Sequence, residues 1–471
     1  MKKMMMSAAS VLALAIAGPA LAQSVSTVNQ SNTGNTANVD QTGSLDGGDS
    51  LVTQSGANNL ANVTQADDGS GSTPINVSEV DQSGDNNVAT VSQDTSTIAI
   101  QTESFVNQSG NNNNADVTQV DDWQSSTINQ ASDGNSATVV QGDATAALTD
   151  DSYGNNSMIN QGGTGSQIAE VTQTGLRNDS TVDQIGDVGE AYVVQSGADN
   201  FSTVLQTGTD DDADVNQSGD GNSSDIVQDG ESVLATVDQS GNGNSSLVDQ
   251  TSPGGIRPIN SSVYVDQSGD GNDSEVFQRA NDGYAEVLQW GTNSVSSVLN
   301  HGNRSVAYVW QLAGDDNDAS IVQRSEDSDA LVYQVGNRNT GSIIQREDSP
   351  PTENFSAAIY QYGNDGTSSI DQDGDNHVAV NEQTGNFDSS SIVQTGSGSY
   401  AGVGQYADNN SSTVTQAGNS QYALVLQFGS GNTSSVDQSG NNNTANVTQL
   451  TNGNVSTVLQ SGSFNVANVA Q

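Results

Sequence analysis

The 471-residue chain has no cysteine, only 6 prolines, and only 9 lysines and arginines against 56 aspartates and glutamates. Without cysteine, neither disulfide bonds nor thiolate metal sites can hold the fold together. The formal net charge of −47 would repel phosphate, so nucleic acid is not expected as a partner. The two histidines, His301 and His377, lie far apart in the sequence, and no serine stands in a nucleophile motif. We therefore expect no enzyme, no catalytic residue, no metal centre and no cofactor.

Long hydrophobic runs are also lacking, with one exception at the amino terminus. Two lysines precede the apolar segment SAASVLALAIAGPALA, which ends in a small-x-small sequence. The run is shorter than the roughly 20 apolar residues of a membrane-spanning helix, and a glycine and a proline interrupt it. The sequence therefore predicts a secretory signal peptide over residues 1–22, cleaved between Ala22 and Gln23, and a secreted mature chain.

The most frequent feature of the chain is an eleven-residue period marked by glutamine. Glutamines recur every eleven residues from Gln173 to Gln250 and again from Gln361 to Gln471. With 50 glycines and 32% hydrophobic residues, composition alone would suggest disorder, but a fixed period indicates a repeat architecture. We expect one continuous array over residues 23–471, with about 19 two-strand repeats and loop insertions where the spacing is longer.

The residues before each glutamine alternate as a β-strand requires. Two positions before the glutamine, 37 of 38 repeats have Val or Ile, and four positions before it nearly all have Ser or Ala. These positions share one face of a strand with the glutamine, and β-branched residues suit such a surface. The structural inward columns predicted from this pattern are Gln405, Gln416, Gln427, Gln438, Gln449 and Gln460; Val403, Val414, Val425, Val436, Val447 and Val458; and Ser412, Ala423, Ser434, Ala445 and Ser456.

The position four residues before the glutamine alternates between Ser and Ala, which doubles the period to 22 residues. The usual linker is x-Gly-x-x-Asn, as in residues 439–443, and Gly and Asn tolerate the positive φ of tight turns. We predict an all-β fold: a two-sheet β-solenoid or cross-β stack of strand-turn-strand rungs with a 22-residue repeat. Rungs stacked at ~4.8 Å would place Gln on Gln and Val on Val. No acid occupies an inward position, so all 56 are expected on outward faces, turns or spacers.

Two surface features allow more than one interpretation. The acidic clusters at residues 210–212 and 315–318 are either solvated turns or weak sites for divalent cations, although neither has the spacing of a calcium-binding loop. The aromatic residues, among them Trp123, Trp290 and Trp310, either bind sugars or other surfaces by stacking or form aromatic ladders along the stack.

The repeat Ser-x5-Gln-x4-Asn-x-Ala-x3-Gln resembles that of curlin subunits, which build the functional-amyloid curli fibres of bacteria. The segment AIYQYGND at residues 358–365 is similar to the aromatic-flanked turn of that family. The segment SYAGVGQYADNNSSTVTQ carries the repeat, with Ser412 in place of the alanine, at Ser399, Gln405, Asn410, Ser412 and Gln416.

This resemblance implies a secreted subunit that polymerises at the bacterial cell surface into cross-β fibres for adhesion and biofilm matrix. The partners that it implies are further copies of the chain joined end to end, other curlin-type subunits or a nucleator, and an outer-membrane secretion apparatus. The alternative is a monomeric secreted β-solenoid, either an adhesin or an ice- or carbohydrate-binding protein. Such a protein should show a regular outward array, typically Thr-x-Thr, and a capping segment, whereas the outward positions vary here and the repeat pattern runs to the last residue.

Overall fold

The structure is a computed structural model that describes residues 24–45, 47–67, 76–95, 101–121, 123–142, 154–251, 257–346 and 354–471. The described residues form 38 β-strands, and none of them belongs to a helix long and apolar enough to cross a membrane. The predicted signal peptide and its cleavage site at Ala22 and Gln23 lie outside the described residues. The chain divides into two compact units, Met1–Asp199 and Asn200–Gln471.

The first unit contains strands β1 to β14, which make seven rungs of two strands each. Their bounds are β1 Val25–Gln30, β2 Thr36–Gly43, β3 Gly48–Gln54, β4 Leu60–Asp67, β5 Asn76–Gln82, β6 Val88–Thr95, β7 Glu103–Gln108, β8 Asn114–Val120, β9 Ser125–Gln130, β10 Ser136–Gln141, β11 Asn156–Gln161, β12 Ile168–Leu176, β13 Asp179–Gln184 and β14 Asp187–Ala198.

The second unit contains strands β15 to β38, which make twelve rungs. Their bounds are β15 Phe201–Gln206, β16 Thr209–Ser218, β17 Ser223–Gln228, β18 Leu234–Ser240, β19 Ser245–Gln250, β20 Ser262–Ser268, β21 Asp273–Gln278, β22 Tyr284–Gln289, β23 Val295–Asn300, β24 Val306–Ala313, β25 Asp318–Gln323, β26 Asp329–Val335, β27 Thr340–Arg346, β28 Ser356–Gln361, β29 Thr367–Asp375, β30 Val378–Gln383, β31 Ser389–Ser397, β32 Tyr400–Gln405, β33 Ser411–Asn419, β34 Tyr422–Gln427, β35 Thr433–Asn441, β36 Thr444–Gln449, β37 Val455–Ser463 and β38 Val466–Ala470.

Within each unit, a strand pairs in parallel with the strand two positions further along the chain. The odd-numbered strands therefore form one sheet, the odd sheet, and the even-numbered strands form the even sheet. The register places like residues together, as β31 and β33 show by pairing Ile392 with Val414 and Gln394 with Gln416. The prediction of an all-β, two-sheet β-solenoid with rungs of about 22 residues is confirmed.

Connections of unequal length leave this register intact. Strands β4 and β6 belong to adjacent rungs separated by the longer connection at residues 68–75, and they still pair Val63 with Val91 and Gln65 with Gln93. The longer segments therefore join strands without shifting any column of side chains in the sheets.

Many reversals between strands use positive φ. Where β35 turns into β36, Gly440 near the end of β35 has φ 100° and Asn442 has φ 56°. A Cβ on Gly440 would lie 2.0 Å from the carbonyl oxygen of Gly462 in the next rung, so only glycine fits. The last residue of the link, Asn443, is fully buried and does not have positive φ. Asparagine at this position therefore does not serve to tolerate positive φ, which is the role that the turn sequence predicts.

Candidate assembly site: interior ladders and terminal strands

The side chains of the predicted inward columns lie between the two sheets of the second unit. The valine, serine and alanine members are all buried, and so are the glutamines from Gln405 to Gln460. The glutamines at the strand ends bring a polar amide into this interior. Because a buried amide without partners costs about 1–3 kcal/mol, their hydrogen bonds decide whether such a core is possible.

Each of these amides is paired both along the stack and across it. Gln405 Nε2 donates to Gln427 Oε1 in the next rung at 2.9 Å, and Gln427 Nε2 donates to Gln449 Oε1 at 2.8 Å. Gln405 Nε2 also donates to the backbone oxygen of Ser389 in the opposite sheet at 3.0 Å. The odd sheet repeats the pattern, with Gln416 Nε2 donating to Gln438 Oε1 at 2.9 Å. The glutamine ladder therefore satisfies the amides that it buries.

The glutamine ladder runs in one direction in both units. The donor always lies on the earlier rung, from Gln30 donating to Gln54 at 2.6 Å in the first unit to Gln449 donating to Gln471 at 3.2 Å in the second. The cross-interior bonds fix this direction, because the same Nε2 must face a backbone oxygen. A one-directional ladder has unlike ends, one with free acceptors and the other with free donors.

A second polar column lies where each turn enters the next strand, and the sequence analysis did not assign it. The backbone N–H of Asn432 donates to Asn410 Oδ1 at 2.9 Å, and that of Asn454 donates to Asn432 Oδ1 at 2.8 Å. Asn443 Nδ2 donates to the Gly462 oxygen in the next rung at 3.1 Å. The signal was the asparagine that ends each x-Gly-x-x-Asn link, six residues before the glutamine.

Two acids replace asparagine in this column, and both are buried. Asp388 is 1% exposed and its Oδ1 accepts from the Asn410 N–H at 2.8 Å. Asp211 is 2% exposed and its Oδ2 accepts from the Gly208 N–H at 3.1 Å. Burial raises the pKa of Asp388 to about 7 and that of Asp211 to about 6. Some of the turn acids therefore belong to the interior and are not solvated.

The acidic cluster at residues 210–212 thus places its middle carboxylate inside the turn. Across the described residues, no group of three or more His, Asp or Glu side chains is placed to hold a metal ion.

His377 takes the equivalent position, six residues before the glutamine, at the entrance to β30 of the even sheet. Its ring stacks on Phe355 with centroids 5.8 Å apart, and its Nδ1 accepts from the Ser399 N–H at 3.3 Å. Burial lowers the pKa of His377, so the neutral ring serves as a packed, hydrogen-bonded member of the column.

The glutamine ladder of the odd sheet is interrupted at Asn300, which stands where the other rungs have glutamine. The Asn300 amide donates only to the Ser305 oxygen, at 3.0 Å, and its Oδ1 has no partner among the described residues. On either side, both amide atoms of Gln278 and the Oε1 of Gln323 are buried and likewise unpaired within the described structure. A side chain one methylene shorter thus leaves four buried polar atoms without hydrogen bonds.

The aromatic side chains of the second unit contact one another along its even sheet. Tyr400 stacks on Tyr422 and Tyr406 stacks on Phe428, each pair with centroids 5.1 Å apart. These contacts join neighbouring rungs, as an aromatic ladder would.

Two of the three tryptophans also pair with acids of the preceding rung. Trp310 Nε1 donates to Glu286 at 2.9 Å and Trp290 Nε1 to Asp266 at 3.3 Å. Trp123 lies in a turn of the first unit, with φ 63° and 43% exposure. The indole N–H groups of Trp290 and Trp310 are therefore occupied within the fold.

The last strand, β38, exposes more of its inward side chains than the preceding strand of its sheet does. Ala445 and Val447 are buried, whereas their counterparts Ala467 and Val469 are only half-buried. Leu459 and Phe464 are 74% and 76% exposed, at positions that are exposed in the preceding rung as well. In the first unit, Val28 in β1 is 42% exposed although its column is otherwise buried. Among the described residues, β1 and β2 pair only with β3 and β4, and β37 and β38 only with β35 and β36, so each of these outer strand pairs has an unpaired backbone edge in this part of the structure and a partly open interior.

These features define the class of the protein: a parallel β-solenoid whose interior is joined by amide ladders. The family model of the curlin associated repeat matches residues 389–418 and 407–440. The resemblance to curlin repeats predicted from the sequence is confirmed for this stretch, which covers strands β31 to β35. No curated protein matches the chain.

Proposed function

We propose that this chain is a secreted, non-enzymatic structural subunit that assembles end to end into curli-like amyloid fibres at the bacterial cell surface. Such fibres would serve adhesion and the biofilm matrix. Further copies of the chain are the main partner that we propose, and other curlin-type subunits, a nucleator and an outer-membrane secretion apparatus are proposed by analogy with proteins that carry the curlin repeat matched at residues 389–440.

The observation that carries the proposal is the complementarity of the two outer strand pairs. At the β37–β38 end, Gln460 and Gln471 donate to backbone oxygens but have no next glutamine among the described residues. At the β1–β2 end, the Nε2 atoms of Gln30 and Gln41 donate to the glutamines of the next rung, and their Oε1 atoms have no ladder donor in the described structure. Donors at one end and acceptors at the other fit a second copy placed head to tail in the same register.

Apolar burial favours the same contact. Stacking a second copy on β37 and β38 would cover the side chains of Ala467 and Val469 in the way that Ala445 and Val447 are covered in the preceding rung. Removing apolar surface from water contributes about 25 cal/mol per Å², and unpaired strand edges readily recruit another strand. The resulting fibre would be polar, with every copy oriented alike.

The test is a capping variant at the β38 edge. Val469→Asp places a charge on the inward side of the edge, while Asn468→Asp places the same charge on the outward side of the same strand. We expect purified Val469→Asp to stay monomeric and, in small amounts, to arrest fibre growth of the unaltered chain. Asn468→Asp should assemble normally, as followed by thioflavin fluorescence and electron microscopy.

Two results would contradict end-to-end assembly. Equal behaviour of the two variants would mean that β38 is not the contact. A chain that stays folded and monodisperse at high concentration would favour the alternative of a monomeric secreted β-solenoid.

A further inference from the structure

A basic column crosses four consecutive rungs of the odd sheet in the second unit. It consists of Arg279, His301, Arg324 and Arg346, each directly after the ladder position of its strand. The backbones are in register, since the N–H of Arg279, His301 and Arg324 each donates to the ladder residue of the next rung at 2.8–2.9 Å. At ~4.8 Å per rung, four basic side chains follow one another along the stack.

This column is unusual in a chain with 9 basic and 56 acidic residues. Only its two ends are neutralised by ion pairs: Arg279 with Asp249 at 3.6 Å and Arg346 with Asp371 at 3.1 Å. No carboxylate of the described residues lies within ion-pair distance of Arg324, which is exposed. The middle of the column therefore carries one positive charge, that of Arg324, without an intramolecular counter-charge in this part of the structure.

The positive charges of the neighbouring arginines also affect the pKa of His301. Arg279 Nη1 lies 3.5 Å from His301 Nε2. Partial burial, followed by the charges of Arg279 and Arg324, lowers the pKa of His301. An anion bound along the column would relieve the repulsion among these neighbours.

On the middle strands of the column, the outward positions beside it hold no acid, whereas acids flank its two ends: Asp249 and Glu275 at one end, and Asp371 and Asp373 at the other. On strands β23, β25 and β27, the next outward column consists of Leu299, Val322 and Ile344, and the one beyond it of Ser297, Ser320 and Ser342. Cationic, apolar and hydroxyl columns thus run side by side along the stack. A partner with regularly spaced acidic groups and many hydroxyls would find matching groups in all three columns.

We propose that this face binds a linear, carboxylate-bearing polysaccharide along the stack axis. Guanidinium groups pair with carboxylates in a fixed planar geometry, and the serine hydroxyls can both donate to and accept from sugar hydroxyls. Duplex nucleic acid fits less well, because its charge of one per ~1.7 Å would be repelled by the acids that surround this face. The inference is independent of end-to-end assembly.

The experiment measures binding of the freshly purified, monomeric mature chain to alginate, with neutral dextran and duplex DNA for comparison. The test variant carries Arg324→Gln and Arg346→Gln. The control variant carries Arg177→Gln and Arg338→Gln, which removes the same charge from arginines paired with Asp199 and Asp365 outside the column.

We expect the unaltered chain to bind alginate but not dextran, and to bind less tightly as salt rises. The test variant should bind alginate about tenfold more weakly, because each lost contact between an exposed arginine and a carboxylate of the polysaccharide costs about threefold in affinity. The affinity of the control variant should change less than about twofold. In NMR titrations, alginate should raise the pKa of His301 and leave buried His377 unchanged.

Three results would overturn the proposal: no alginate binding, equal losses in the test and control variants, or duplex DNA binding as tightly as alginate. Because the binding is measured on monomer, failure of fibre formation would leave these outcomes readable.

Discussion

The gap at Asn300 in the odd-sheet glutamine ladder allows a direct test of how much the ladder contributes to stability. Asn300→Gln would restore the residue found at this position in the other rungs. The new side chain should accept from Gln278 and donate to Gln323, as Gln289, Gln311 and their neighbours do in the even sheet at 2.9 Å. At present Gln278 turns away, with its Nε2 1.9 Å from where a Cβ on Gly283 would be.

The expected gain follows from the atoms that are repaired. Two amide–amide hydrogen bonds would form, each with a net contribution of roughly 0.5–1.5 kcal/mol. They would satisfy buried atoms that now have no partner, including Gln278 Nε2 and Gln323 Oε1. We therefore expect local stabilisation of about 1–3 kcal/mol.

Hydrogen exchange is the appropriate assay, because long repeat arrays do not unfold in a single two-state step. Amides of β21, β23 and β25 should exchange about tenfold more slowly for each 1.4 kcal/mol gained. Gln311→Asn is the matched control, since it introduces the same defect into the intact even-sheet ladder and should accelerate exchange there. Unchanged exchange in both variants would refute the view that the ladder stabilises the stack.

Three further predictions address the interior, the buried acid and the surface charge. Val436→Asp should block folding or assembly because burying an unpaired charge costs several kcal/mol, whereas Asp437→Asn should be tolerated; equal effects would show that the strand faces are wrongly assigned. Because the pKa of Asp388 is raised from 3.8 to about 7, its contribution to stability is full below pH ~3.8 and is lost as pH rises through ~7, so Asp388→Asn should stabilise the surrounding rungs most at pH 8, measured as slower hydrogen exchange after correction for the intrinsic pH dependence. The net charge of −47 should oppose assembly, so salt at about 0.15 M, Ca²⁺ or mild acid should shorten the lag in thioflavin assays, and a lag independent of salt would contradict this.

The strand pattern could be predicted from sequence because it depends on two local rules. Alternation of side chains fixes which residues point inward, and the spacing of glutamines fixes the rung length. The one exception among the Val and Ile positions is partly compensated: Asn381 is buried and its Nδ2 donates to the Ser368 hydroxyl across the interior at 2.5 Å, while its Oδ1 has no partner among the described residues. That compensation involves the opposite sheet, so the column pattern alone could not reveal it.

What the sequence could not supply was the role of residues in the turns. Asn443 and Asp388 both lie in segments that look like solvated linkers, yet both are buried. Their burial depends on how one turn stacks on the next, which is a long-range property. The basic column has the same origin, because Arg279 and His301 are neighbours only when the rungs are stacked.

The ladders also explain which changes in length the chain tolerates. Residues 68–75 make one connection longer than most, yet Gln65 still pairs with Gln93 in register and donates to its side chain. Asn300, by contrast, is shorter than glutamine by a single methylene and leaves polar atoms unpaired on both neighbouring rungs. A side chain within a column must span the fixed ~4.8 Å to the next rung, whereas a loop must only return the chain to register. Variation in this architecture should therefore accumulate in loops and outward faces, while the inward columns remain constant in size from rung to rung.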